Sequence, residues 1–255
     1  MEGGVYTRVV RMTQPDGHDS FGWVRVENDA PNDALAVTMS ASLLSVAPQA
    51  GARIRHQFDL DCDPYAVFER IASLDETVPG AAVPGTRLPG CFDSFEMACR
   101  AVLGQQVTVK AANRFAARVA ACIGRPVDVE GLAHAFPTPA EMLELDDVEG
   151  ALGKLGIIGS RSRTIAEIAR LMEAGQLDLE PGADVGSAIE TLQAIKGIGP
   201  WSANYIAMRT MGYSDAFLET DSGIAHALPA MTPKERLKLA EHWRPWRSYS
   251  RSQAC

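Results

Sequence analysis

Apolar and polar residues alternate twice near the start of the chain, over residues 5–11 (VYTRVVR) and 21–26 (FGWVRV). A period of two puts successive side chains on opposite faces of a strand. Gln14-Pro15-Asp16-Gly17 separates the runs as a turn. Residues 34–43 (ALAVTMSASL) extend the β character as a third strand, and 48–51 is expected to loop. From residue 63 the period becomes helical. Asp63 and Pro64 suit an N-cap and a first helical position for a helix to 74. Residues 78–89, rich in Pro and Gly, read as a linker. Helices follow over 93–102 and 107–122. In the second, Val109, Ala112, Phe115, Ala116 and Val119 share one face, and Gly124 stops it. Thr138 and Glu141 have capping-box spacing. Further helices are expected over 161–174, 187–195, 201–211, 221–228 and 232–243. The fold class is therefore mostly α with a small α+β N-terminal part. A β-rich mixed domain over 1–62 precedes a helical domain over 63–255.

Composition narrows the class. The chain has 255 residues, 46% hydrophobic and 22% charged, as soluble globular proteins have. It shows no run of about 18 apolar residues for a membrane span and no basic-then-apolar leader. The expectation is a cytoplasmic protein with no membrane partner. Cys62, Cys91, Cys99, Cys122 and Cys255 form no C-x-x-C pattern, so neither zinc nor an iron–sulfur cluster is expected. The five histidines have no metal-ligand spacing. Net charge is −8, an unpromising balance for a nucleic-acid binder, but the acid is uneven. Residues 1–150 carry 12 basic against 21 acidic side chains, and residues 151–255 carry 12 against 11. A local anion site in the second part is compatible with that distribution, while long-range steering is not.

Residues 192–205 (LQAIKGIGPWSANY) are the most informative segment. A helix ends near Ile195, Gly197-Ile198-Gly199 reverses the chain, and Pro200 opens the next helix. The amides of Gly197, Gly199 and the new first turn would converge beside a helix N-terminus, which favours a phosphate diester. Leu192, Ile195 and Ile198 would pack the helices together. An ordinary αα-hairpin with a glycine turn uses the same pattern. The apolar spacing L-x-x-I-x-G-I-G-x-x-x-A favours the DNA-binding hairpin.

The segments LPGCFDSFEMACRAVLGQQV (88–107), FPTP (136–139), LQAIKGIGPWSANYIAMR (192–209), DAFLETD (215–221) and MTPKERLKLAEHWRPWRSY (231–249) occur in an order that resembles one family. It is bacterial 3-methyladenine DNA glycosylase II, in the helix-hairpin-helix DNA glycosylase superfamily. The resemblance covers roughly residues 55–249. It implies two helical subdomains around a cleft and a base-flipping enzyme for alkylated double-stranded DNA in base excision repair. It also implies a nucleoid-associated bacterial monomer that needs no cofactor. The N-terminal β segment resembles part of the family's small mixed α/β domain. The chain is expected to begin inside that domain. It is also expected to stop, at SRSQAC, short of a helix whose aromatic side chain closes the base pocket in the family. Those ends keep open the alternative of a catalytically impaired DNA-binding remnant.

The resemblance also implies roles by position. The amides of Gly197, Gly199 and Ser202 would hold phosphate. The carbonyls of Gln193, Ile195 and Ile198 would hold a monovalent cation. Asp221 matches the catalytic aspartate, Trp201 and Tyr205 the base pocket, and Gln106 the side chain that wedges into the duplex gap. Each has a plainer reading. Asp221 suits an N-cap, Trp201 and Tyr205 at i and i+4 suit a core, and Gln106 suits an exposed junction. Trp201 occupies the place where lyase-type relatives carry a nucleophilic lysine. Hydrolysis without strand cleavage is therefore expected. In HWRPWR (242–247) the tryptophans are expected as packing anchors, with Arg244 and Arg247 at the rim.

Overall fold

The computed structural model describes residues 4–14, 16–129 and 132–251. Pro15, within the expected first turn, and Cys255 lie outside them. Strands β1 (Tyr6–Thr13), β2 (Asp19–Asp29) and β3 (Ala34–Met39) form an antiparallel meander in that order. Val10 sits opposite Gly22, and Val24 opposite Met39. Val10, Met12, Val24 and Val26 face one side and pack with Leu43, Val46, Ile54 and Phe92. The third strand is shorter than expected because residues Ala41–Val46 turn into a 3-10 helix. The expected loop at 48–51 lies instead inside α1 (Ala47–Gln57), where proline occupies the first turn. There it costs no helical hydrogen bond.

Eleven further α-helices follow among the described residues. Asp63 caps α2 (Pro64–Ile71) by accepting from the amides of Tyr65 and Ala66. Asp93 caps α3 (Ser94–Leu103), and Thr108 caps α4 (Val109–Cys122). Val109 is 78% exposed, so it leaves the expected apolar face to Ala116 and Val119, which are buried. A Cβ on Gly124 would stand 2.0 Å from the Ala135 carbonyl, so only glycine fits just past the end of α4. A two-stranded ladder of β4 (Pro126–Val129) and β5 (Leu132–His134) was not anticipated. The capping box forms at Thr138 and opens α5 (Pro139–Leu143). Then come α6 (Val148–Lys154), α7 (Gly159–Glu173), α8 (Val185–Ala194) and α9 (Pro200–Thr210). The chain continues through α10 (Ser222–Ala227), α11 (Pro233–Ala240) and α12 (Arg247–Arg251).

Two apolar clusters organise the helices. One gathers α3 with α7, α8 and α9 around Val102, Ile168, Leu192 and Ile206. The other joins α2 to the segment after α9 through Ile71, Phe217, Ile224 and Trp243. Tyr205 and Tyr213 pack against both, so the boundary between the helical subdomains runs past α9. The sheet is fastened to α3 and α5 by Arg8–Glu96 at 2.8 Å and Arg11–Glu141 at 2.6 Å. Trp243 is buried, as expected of a packing anchor. Arg247 is not at the rim. It is 7% exposed and holds Asp215 through Nε at 2.6 Å, which pins α12 to the loop after α9. No helix among the described residues is long and apolar enough to cross a membrane.

Candidate nucleic-acid interface and active site

The hairpin is built from both of its sides. Leu192, Ile195 and Ile198 are buried and join α8 to α9. Gly197 has φ +101, and a Cβ there would stand 2.5 Å from Thr164 Oγ1. That hydroxyl donates to the carbonyls of Lys196 at 2.8 Å and Ser160 at 3.0 Å, so α7 holds the turn from behind. Gly199 differs. Nothing lies within 4 Å of where its Cβ would be, so the side it presents is open to an approaching backbone. Pro200 starts α9, and no side chain caps that end. Its first amides therefore lack the usual cap and favour an anion. The Ile195 carbonyl accepts from the Ile198 amide at 3.1 Å. It keeps a second lone pair beyond that bond.

A cleft of about 710 Å³ opens beside the hairpin. The α3–α4 turn forms one wall and α9 the other. Gln106, Gly197, Trp201, Ser202 and Tyr205 all face this space. The Trp201 and Tyr205 rings stack on each other, with centroids 5.1 Å apart and planes 15° apart. They thus form a pocket wall rather than a fully buried pair. Gln106 is exposed at the lip and has φ +55, in the left-handed region that few non-glycine residues adopt.

Sequence reading missed four contributors. Gln105 ties the two walls, donating from Nε2 to the Gly197 carbonyl at 3.0 Å and to Ser202 Oγ at 3.2 Å. Arg161 in turn donates to the Gln105 carbonyl. Thr164 reaches the hairpin from another helix, so no local pattern could reveal it. Arg209 lines the cleft and lies one further step of four along the face that begins at Trp201 and Tyr205. That spacing was legible.

Asp221 is 7% exposed. It caps α10, accepting from the Gly223 amide at 3.0 Å. Arg236 fixes its setting by donating to the Glu219 carbonyl at 3.1 Å and, through Nη2, to the Leu228 carbonyl at 3.2 Å. Those carbonyls flank α10 on either side. Phe217 and Ile224, on either side of Asp221 in sequence, belong to the core that Tyr205 touches. Among the described residues no group of three or more His, Cys, Asp or Glu side chains is arranged to hold a metal. Cys62, Cys91, Cys99 and Cys122 are free thiols.

Fold and hairpin together define a helix-hairpin-helix protein built to hold DNA. Residues 1–93 match the AlkA N-terminal domain and residues 99–244 the HhH-GPD superfamily base excision DNA repair protein. The chain belongs to this base excision repair superfamily. It is 39% identical over 229 residues to DNA-3-methyladenine glycosylase 2 of Escherichia coli, covering 90% of this chain and 79% of that one. It is 41% identical over 208 residues to a probable bifunctional transcriptional activator/DNA repair enzyme AlkA of Mycobacterium tuberculosis, over 79% of this chain and 41% of that one. The 3-methyladenine DNA-glycosylase of Archaeoglobus fulgidus shares the fold, with TM-score 0.76 and 21% identity, over 98% of this chain and 86% of that one.

Proposed function

We propose that the chain is a monofunctional DNA glycosylase that hydrolyses the N-glycosidic bond of alkylated bases such as 3-methyladenine. The observation that carries this reading is that the glycine hairpin and the stacked Trp201–Tyr205 pair open onto one cleft. The amides of Gly197, Gly199 and Ser202 hold a phosphodiester. The carbonyls of Gln193, Ile195 and Ile198 would hold a monovalent cation, adding positive charge behind that clamp. Neutral oxygen donors suit such a hard ion. Gln106 enters the gap left by the extruded nucleotide. The aromatic pair then receives the base, and a positive charge on it adds about 0.5–2 kcal/mol of cation–π attraction.

Asp221 is the catalytic group in this reading. Its carboxylate stabilises positive charge developing on the sugar and orients water toward C1′. The water oxygen bonds to C1′ as the C1′–N bond breaks. The base departs with that electron pair, and the water proton passes to the carboxylate or to solvent. A cationic alkylated base leaves as a neutral molecule, so little base protonation is required. Trp201 offers no amine for a Schiff base, so the strand stays intact. This chemistry requires no cofactor, and a single chain acting at the bacterial nucleoid suffices.

The test is incubation with methylated duplex DNA and identification of the released bases. Free 3-methyladenine without strand nicking is expected, and borohydride should trap no covalent complex. A trapped adduct overturns the hydrolytic mechanism. Tight DNA binding with no release overturns the enzymatic reading in favour of a binding remnant.

A further inference from the structure

The structure assigns Arg209 as a specificity-determining residue that reads the acceptor edge of the base held in the cleft. This rests on the glycosylase reading of the same cleft. Trp201, Tyr205 and Arg209 are spaced by four along α9 and all line the cleft. At 1.5 Å per residue, Arg209 stands about 12 Å along the helix from Trp201. It therefore lies toward the far end of the cleft from the hairpin, too far along the helix to share the phosphate clamp. Its Nε is buried and has no hydrogen-bond partner. The other arginine of the cleft, Arg100, is already engaged with Glu96 at 2.7 Å and Asn113 at 3.4 Å. Cys91, which also lies near Arg209, brings it no counter-charge. Burial pushes that thiol up to about 12, so it stays protonated.

A guanidinium offers five donors and no acceptor. Beside the aromatic pair it would donate to a ring carbonyl of the base and oppose a base carrying net positive charge. At this residue both effects favour a neutral base bearing a carbonyl over a cationic base lacking one, and so work against the cation–π preference of the Trp201–Tyr205 pair. A site that hydrogen-bonds one group of its substrate discriminates strongly against an analogue without it.

The experiment compares release of hypoxanthine, neutral with a 6-carbonyl, and 3-methyladenine, alkylated and without one, from duplex DNA. For Arg209→Leu, hypoxanthine release should fall at least tenfold more than 3-methyladenine release. Arg209→Lys, which keeps the charge but not the planar fork, should fall between. Equal fractional losses, or none, overturn the assignment. Should Arg209→Leu fail to fold, Arg209→Gln carries the same comparison. If the wild-type chain releases neither base, the glycosylase reading fails, and the Arg209 assignment is decided by affinity. The probes are then duplexes with a single hypoxanthine or a single unsubstituted purine. A wild-type preference for hypoxanthine that Arg209→Leu erases sustains it. Equal wild-type affinities overturn it.

Discussion

At the scale of single residues the hairpin glycines do different work. Gly197 combines φ +101 with a contact of 2.5 Å that any Cβ would make with Thr164 Oγ1. Gly197→Ala is therefore expected to destabilise the fold by about 1–2 kcal/mol, from the left-handed conformation alone. The melting temperature should fall measurably. Gly199 has φ −91 and open space at its Cβ position. Gly199→Ala should leave the melting temperature nearly unchanged and weaken DNA binding, since the methyl group would stand where a diester approaches. Equal thermal losses in the two variants would contradict the distinction. Asp221→Asn separates the cap from the chemistry. Asparagine still accepts from the Gly223 amide, but it loses the charge. Base release should fall about 10²–10³-fold, the effect of removing one electrostatic stabiliser. Duplex affinity should hold. Near-normal turnover would leave Asp221 as a cap and nothing more.

At the scale of elements, α3 is the hub, and Glu96 shows why. It lies on α3, pairs with Arg8 of β1 at 2.8 Å and with Arg100 at 2.7 Å, and thereby fixes the sheet to the helical part. Burial pushes its carboxyl up, but the two guanidinium groups outweigh that and hold it below its ordinary range. A carboxyl depressed on folding stabilises the protein above its unfolded pKa, about 4.3 for glutamate. That stabilisation is lost as pH falls through the folded value. Glu96→Gln should cost about 3 kcal/mol at neutral pH, as removal of one partner of a buried ion pair does. It should also flatten the dependence of melting temperature on pH below pH 5, and an unchanged acid slope would remove Glu96 from the account. Legibility follows the same division between local and distant causes. The caps at Asp63, Thr138 and Thr232 are contacts within a few residues, and their spacing declares them. The hairpin is equally local, apart from its support by Thr164. Pro48 misled because proline punctuates both loops and helix starts. Val109 misled because helical period cannot distinguish a core from a lip. Arg247 misled because its partner, Asp215, lies 32 residues away.

For the molecule as a whole, charge and function pull in different directions. A chain of net charge −8 repels a polyanion at long range, so its grip on DNA must be short-ranged. The hairpin meets that need with main-chain dipoles. They bind phosphate without adding cationic side chains and leave few counterions to release. The salt dependence of binding follows from this. If the protein's cations neutralise about three phosphates, the slope of log affinity against log salt should be about −3 for duplex DNA. Fluorescence anisotropy between 50 and 200 mM salt measures it directly. Gly199→Ala should then lower affinity by a similar factor at every salt concentration and leave the slope in place, because an amide contact releases little counterion. A lysine or arginine removed from the same face should reduce the slope by about 1. A wild-type slope steeper than about −6 would require a broad cationic footprint, and the hairpin could then no longer be the main clamp.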